Sequence, residues 1–141
     1  MDIIDRMVFS DIPEGKQLNE KRIPLPHNHN DNDSRIAERM PSVETIKTVA
    51  DAMKQLGDPS RLRIFWLLCH CEECVINIAA ATDMSSPAVS HHLRLLKDAG
   101  LIVASRNGKE MYYRAADTDI VLKLHHTIEE IALISCPEFR E

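Results

Sequence analysis

The segment that most constrains the fold is Ser85–Ile102, which reads SSPAVSHHLRLLKDAGLI. Its two leading serines are residues that cap helix N-termini, and Pro87 is tolerated in a first helical turn. Gly100 is suited to a left-handed C-cap. The apolar residues between these signals recur at helical spacing on one face: Val89, Leu93, Leu96 and Ala99. The segment therefore predicts one short amphipathic helix with a defined start and stop.

The opposite side of this helix is polar. It carries small hydroxyls and potential hydrogen-bond donors, which are Ser85, Ser86, Ser90, His91 and Arg94. Hydroxyls near a helix start can approach base edges and phosphates, and arginine can reach a phosphate or a guanine. The segment taken alone fits a DNA-reading helix and a surface helix of any α-helical domain equally well.

The neighbouring segments favour the DNA-reading interpretation. Periodicity and cap residues predict helices at 42–57, 58–68, 75–82 and 87–99, a hairpin with strands at 101–106 and 109–114, and a last helix at 117–134. Asn107-Gly108 between two strand-like runs is a strong hairpin signal. A short helix, a tight link, a longer helix and a hairpin form a winged helix-turn-helix. The predicted fold class is therefore mainly α with a small β-hairpin (α+β).

The chain divides into three predicted parts. Residues 1–41 contain four prolines and a polar run, which predict a flexible N-terminal arm with a short helix near 34–39. Residues 42–135 form the winged helix-turn-helix and dimerisation domain, and residues 136–141 form a tail. No apolar run approaches a membrane span of about 20 residues, and the acidic N-terminus does not resemble a secretion signal. We expect a cytoplasmic protein without a membrane partner.

Charge is distributed unevenly over a chain whose formal net charge is −5. Residues 85–114 carry five basic and two acidic side chains, whereas residues 115–141 carry two basic and six acidic ones. A basic module in an acidic body fits a specific DNA binder with few phosphate contacts. Arg106 and Lys109 in the hairpin are expected to contact the DNA backbone. The sequence contains no Gly-rich phosphate loop and no nucleophile elbow, so no enzyme is predicted.

Together these segments resemble the ArsR/SmtB family of metal-responsive repressors over about residues 43–134. The resemblance is carried by Gly57-Asp58-Pro59 with Arg61, by Ser90-His91-His92-Leu93, by Ala99-Gly100-Leu101 and by the hairpin RNGKEMYYR. It implies a homodimeric repressor that leaves a double-stranded DNA operator when an inducer binds. The apolar last helix is expected to dimerise, and two-fold symmetry predicts an operator with an inverted repeat.

A dense cluster of donor atoms follows the second predicted helix. The segment Cys69–Cys74 reads CHCEEC, and its three thiols are Cys69, Cys71 and Cys74. Thiolates suit zinc, cadmium and lead, and trivalent arsenic also prefers sulfur. In a cytoplasmic chain such a cluster indicates metal binding or redox chemistry rather than a structural disulfide. The two interpretations are a metal-sensing repressor and a thiol redox sensor of the same fold.

The family resemblance implies ligands near this cluster. The family commonly has Cys-Val-Cys at the start of the short helix, where this chain has Cys74-Val75-Ile76. Cys69 and Cys71 are therefore expected to replace the missing thiolate. In some family members the N-terminal arm adds ligands from the other subunit, and His27 and His29 could do so here. The competing interpretation of these histidines, a solvated polar linker, is the one that the composition of the arm favours.

The last helix offers an alternative metal site. The resemblance implies a zinc site there, with ligand pairs near both ends of the helix. The corresponding positions in this chain are Asp117, Asp119, Glu130 and Leu133, of which Leu133 cannot ligate. His126 lies one turn earlier, and the expected ligands are Asp117, Asp119, His126 and Glu130. These departures favour the competing interpretation, a capped helix start with a solvated acidic face. The acidic net charge also leaves open a dimeric protein-interaction module that does not bind DNA.

Overall fold

The computed structural model describes residues 25–27 and 29–134. Contacts between residues divide the chain into two units, Met1–Ser42 and Val43–Glu141, and each unit is described by itself. Most of the predicted flexible arm, residues 1–24 and 28, lies outside the described residues. The predicted tail at 136–141 also lies outside them.

The first unit contains one described helix, α1, at Asp31–Glu38. The side-chain oxygen of Asn30 accepts hydrogen bonds from the backbone N–H groups of Asn32 and Asp33, at 2.8 and 3.1 Å. This cap satisfies N–H groups that have no partner inside the helix. The helix therefore begins three residues before the predicted start at residue 34.

The second unit has the element order of a winged helix-turn-helix. Its elements are α2 (Val43–Leu56), α3 (Pro59–His70), β1 (Glu73–Cys74), α4 (Val75–Thr82), α5 (Ser86–Asp98), β2 (Ile102–Asn107), β3 (Glu110–Ala115) and α6 (Asp119–Ala132). This order confirms the predicted fold class. No helix among the described residues is long and apolar enough to cross a membrane.

Local hydrogen bonds set the helix boundaries. The Asp58 carboxylate accepts the backbone N–H of Arg61 at 2.9 Å and starts α3. Asp83 adopts a left-handed conformation with φ 53°, which ends α4 and makes the link to α5 short. The prediction that Asp117 opens the last helix is wrong. The Thr118 hydroxyl accepts the N–H of Val121 at 3.4 Å, so Thr118 is the N-cap and α6 begins at residue 119.

The hairpin turn lies one residue later than predicted. Asn107 pairs with Glu110 as the last rung of the β2–β3 ladder, so Gly108 and Lys109 form the two-residue loop. Gly108 has φ +64°. A glycine at the first central position of a two-residue loop suits a type II′ turn, whose twist matches that of the flanking strands. Asn107 is therefore a strand residue.

The predicted turn at 69–74 is only partly correct. Helix α3 continues through His70, and Glu73 and Cys74 form the short strand β1. This strand pairs antiparallel with β3, in the order β1-β3-β2, with Glu73 opposite Tyr113 and Cys74 opposite Tyr112. Pairing supplies partners for backbone groups that would otherwise remain unpaired along the edge of β3.

The core of the second unit lies between α3, α4, α5 and the start of the hairpin. Its largest fully buried side chains are Phe65, Ile64, Ile78, Leu93, Leu96, Leu101, Ile102 and Val89. The predicted inner face of α5 is confirmed, since Val89, Leu93 and Leu96 are all at most 1% exposed. Gly100, at φ +73°, takes the left-handed conformation predicted after this helix.

Candidate DNA-binding helix and metal-binding cleft

Helix α5 presents its polar side to solvent. The Ser85 hydroxyl accepts the backbone N–H of Ala88 at 3.3 Å and caps the helix. Ser86, Ser90, His91 and Arg94 are exposed. An Arg94 Nη2 atom lies 3.1 Å from Nδ1 of His91, so these two side chains lie together on the outer face. All the residues predicted to contact DNA from this helix are therefore accessible.

A polar network ties α5 to the preceding helices. Arg61 donates from Nε to the Gln55 carbonyl at 2.8 Å, and its Nη1 lies 3.5 Å from Nδ1 of His92. Burial lowers the pKa of His92, and this effect outweighs the nearby Asp58 carboxylate, which acts in the opposite direction. The backbone N–H of Arg61 lowers the pKa of Asp58. His92 thus belongs to the support of the helix rather than to its outer face.

The hairpin forms an exposed wing. Lys109 lies in its turn, and Arg106 donates from Nε to the Gly108 carbonyl at 3.4 Å. The Tyr112 hydroxyl donates a hydrogen bond to the Glu110 carboxylate at 3.2 Å. This bond stabilises the protonated tyrosine and raises its pKa. Both basic residues predicted to contact the DNA backbone are exposed on this wing.

The three cysteines of the predicted metal site occupy different elements. Cys69 is half-buried in the last turn of α3, and Cys71 is its C-cap, with Sγ 3.3 Å from the Leu67 carbonyl. Cys74 is buried in β1, at 7% exposure. Among the described residues, these three sulfurs do not form a set of donor atoms that all lie within 4.8 Å of one another. The cysteine site therefore stays a prediction.

Burial raises the pKa of the Cys71 thiol, and the negative charge of Glu73 adds to this effect. The other predicted ligands of this site, His27 and His29, belong to the first unit, where their ring centroids lie 6.0 Å apart. Their role as ligands also stays a prediction.

The alternative ligands of the last helix are dispersed over the surface. Asp117, Asp119, His126 and Glu130 are all exposed, and they form no three-donor set in the described part of the chain. Asp117 lies before α6, whereas His126 and Glu130 lie on the outer side of that helix. The residues that immediately precede them in the sequence, His125 and Glu129, face the interior of the protein instead.

The structure brings together a trio of ligands that the sequence analysis did not select: His70, His125 and Glu129. His70 Nε2 lies 3.1 Å from His125 Nε2 and 3.2 Å from Glu129 Oε1. His125 Nε2 lies 2.5 Å from the same Glu129 oxygen. The side chains are between 10% and 12% exposed. The sequence signal that could have found this site is the spacing of His125 and Glu129. They lie four and eight residues after the buried Val121 and therefore share its face of the helix.

Next to this trio lies a cleft of about 430 Å³. Its potential ligands are Cys69, His70, Cys71, Glu72, Asp117, Asp119 and His125, and we refer to it as the donor cleft. Residues from both predicted metal sites therefore line one space, although they were predicted as alternatives. Thiolate, imidazole and carboxylate groups together can ligate soft and borderline metal ions.

The sequence matches the family model for bacterial regulatory proteins of the arsR family over residues 58–103. A transcriptional repressor SmtB homolog of Synechocystis sp. is 31% identical over 118 residues, covering 82% of this chain and 89% of the relative. The cadmium resistance transcriptional regulatory protein CadC of Listeria innocua is 36% identical over 86 residues, covering 60% of this chain and 71% of the relative.

A solved structure shows the same fold. It is a homodimeric winged helix-turn-helix DNA-binding domain from Mycobacterium bovis, a possible ArsR-family regulator. It is 31% identical, with a TM-score of 0.59, over 72% of this chain and 96% of the solved one. Both the family and the fold are those of transcriptional regulators, which are not enzymes. The polar helix, the basic wing and these similarities establish that the chain belongs to the ArsR/SmtB family of winged helix-turn-helix transcriptional regulators.

Proposed function

We propose that the protein is a homodimeric transcriptional repressor that leaves its DNA operator when a thiophilic metal or metalloid ion binds. The observation that carries the proposal is the construction of α5. One face is fully buried through Val89, Leu93 and Leu96, while Ser90 and Arg94 on the opposite face are exposed. A rigidly supported helix with a polar outer end is the element that enters the major groove in this fold.

The DNA contacts divide into two kinds. Ser85, Ser86, Ser90, His91 and Arg94 would read or position the major groove from α5. Arg106 and Lys109 on the wing would contact phosphates, which orients the protein without reading sequence. With few such contacts and an acidic body, binding would depend on salt less steeply than in a protein with many phosphate contacts.

Dimerisation is supported by apolar side chains that a single chain leaves exposed. On α2, Val43 and Met53 are 85% and 59% exposed, and on α6, Leu122 and Ile131 are 55% and 79% exposed. The solved relative from Mycobacterium bovis is homodimeric. Two copies related by a two-fold axis would present two α5 helices to an inverted-repeat operator.

The metal response is assigned to the cysteines at the donor cleft. Cys69 and Cys71 line the cleft. Cys74, together with His27 and His29 from the N-terminal arm of the other subunit, would complete a ligand set. Thiolates favour zinc, cadmium, lead or arsenite, and the relative CadC is named for cadmium resistance.

The test uses metal-free protein and a DNA sequence that it selects from a random duplex library. Fluorescence anisotropy then measures affinity while zinc, cadmium, lead or arsenite is added. We expect at least one ion to weaken binding by about 5–150-fold, the usual range of coupling between two sites. Failure to select any sequence would favour the protein-interaction alternative. Unchanged affinity with all four ions would remove the metal response, and weakening by peroxide would support the redox alternative.

A further inference from the structure

We propose that His70, His125 and Glu129 bind a divalent transition-metal ion, zinc or a similar ion, between the end of α3 and the middle of α6. They are the three-donor set that the described residues bring within 4.8 Å. This site differs from both sites predicted from the sequence, since it contains neither a cysteine nor any of the exposed ligands of α6.

Two of the three spacings between the potential ligand atoms match the edges of a tetrahedral coordination sphere. The His70–His125 and His70–Glu129 distances are 3.1 and 3.2 Å. Ligands that lie about 2.0–2.1 Å from a tetrahedral zinc ion are separated from each other by about 3.3 Å. The third edge, from His125 to Glu129, is 2.5 Å and has to lengthen. A rotation of the Glu129 side chain would lengthen this edge.

Hydrogen bonds alone account poorly for this arrangement. Both imidazole Nε2 atoms turn toward one Glu129 oxygen and toward each other. If both nitrogens carry hydrogen, the two N–H groups lie against each other at a nitrogen–nitrogen distance of 3.1 Å. If one does not, its lone pair faces the lone pairs of the carboxylate. A cation at the centre of the trio would accept a lone pair from each of the three side chains and would remove the repulsion between them. It would also offset the cost of burying the carboxylate of Glu129, whose side chain is 11% exposed.

The surroundings of the trio suit a site with one open position. The Trp66 ring packs 4.4 Å from the His70 ring and covers one side. On the other side, His70 and His125 line the donor cleft, where water or a cleft side chain can supply a fourth ligand. Two imidazoles and one carboxylate form a borderline donor set, which favours zinc, cobalt(II) or nickel(II) over the softer lead and arsenite.

An ion at this position would join the last turn of α3 to α6, the helix that we assign to the dimer interface. The regulatory consequence rests on the proposed function: zinc-class ions would act through the trio as well as through the cysteines, whereas softer ions would act through the cysteines alone. Metal binding by the trio does not depend on DNA binding, and it can be measured separately.

The first measurement is a cobalt(II) titration of the full chain that carries Cys69→Ser, Cys71→Ser and Cys74→Ser. We expect retained visible absorption from nitrogen and oxygen ligation, with no sulfur charge-transfer band. The second measurement is zinc affinity by chelator competition. In the same cysteine-free background, His125→Gln and Glu129→Gln are expected to weaken zinc binding by at least about tenfold. His126→Gln and Glu130→Gln test the alternative site on the outer face of α6, and a comparable loss in these variants would place zinc there instead.

Loss of all cobalt binding in the cysteine variant would overturn the site, as would equal zinc affinity in His125→Gln and His126→Gln. Circular dichroism of the metal-free variants establishes that they are folded, and the cobalt titration does not depend on them. DNA affinity of the metal-free protein, measured on the same samples, separates the two proposals. Zinc binding by the trio in a protein that selects no DNA would support the site and contradict only the repressor function.

Discussion

The polar face of α5 and the trio at the donor cleft are assembled in different ways. The residues that we propose for DNA contact lie on α5 and its N-cap, from Ser85 to Arg94, and helical periodicity alone places them on one side. The trio joins residues that lie 55 and 59 positions apart in the chain, His70 with His125 and Glu129. A surface built within one element follows from local spacing, whereas a site built between two elements depends on how their faces pack. The two sites should therefore respond separately to surface substitutions and together to a loss of packing.

The largest effect is expected from Leu93→Ala, which should affect both sites. Leu93 is 1% exposed beneath α5, and removing a buried leucine side chain costs about 2–5 kcal/mol of unfolding free energy. Urea denaturation measures this loss, and DNA affinity and zinc affinity should both fall as the folded fraction falls. The control is Leu95→Ala on the same helix, where the side chain is only half-buried and the loss should be smaller. Equal losses would contradict the packing of α5.

Arg94→Ala should affect only the DNA-binding surface. Arg94 is exposed and contacts only His91 in the described hydrogen bonds, so little stability should be lost. If Arg94 contacts a base, the free energy of DNA binding should weaken by about 1–3 kcal/mol. If it contacts a phosphate, the slope of log affinity against log salt concentration should become shallower by about 1. Zinc affinity should not change. The control Lys97→Ala lies in the last turn of α5, away from the polar N-terminal end, and its effect on DNA binding should be smaller.

A smaller effect concerns pH and the support of α5. Because the pKa of His92 is lowered on folding, the unfolded chain binds a proton at a higher pH than the folded one does. The contribution of His92 to stability is complete above its unfolded pKa of about 6.5 and is lost as the pH falls through the folded pKa. The slope cannot exceed about 1.4 kcal/mol per pH unit for one proton.

Urea denaturation at several pH values between 5 and 8 measures that slope. His92→Gln should flatten it relative to the wild type, and the exposed neighbour His91→Gln should not. Identical slopes in wild type and His92→Gln would show that this buried imidazole does not couple folding to pH.

The sequence predicted correctly the features that depend on a single helix or turn. The cap serine and apolar spacing of α5 and the left-handed Gly100 all agree with the structure. The errors lie where a neighbour intervenes. Thr118 rather than Asp117 caps α6, and β1 exists because the edge of β3 offers it backbone partners. Local spacing does not decide between the adjacent cap candidates Asp117 and Thr118, and it does not identify the strand that pairs with β1.

The choice between the two faces of α6 shows the same limit. Adjacent residues on a helix point about 100° apart, so His125 and His126 serve different surfaces. The family pattern selects Glu130, and His126 is expected to contribute from one turn earlier. The buried Val121 instead sets the inward-facing positions at 125 and 129. The partner His70 comes from a segment selected for its cysteines, and only the packing of α3 against α6 makes it a potential ligand.

Strand β1 limits how the segment proposed to bind metal, Cys69–Cys74, can change over evolution. It holds Glu73 and Cys74 in register with Tyr113 and Tyr112, and Glu72 accepts a hydrogen bond from Ser105 at 3.2 Å. An inserted or deleted residue between Cys71 and Glu73 would shift this register by one and reverse which side chains face the core. Ligands in this segment can therefore be exchanged by substitution, but changes in its length would disturb the wing. Metal preference in this protein should diversify at fixed loop length.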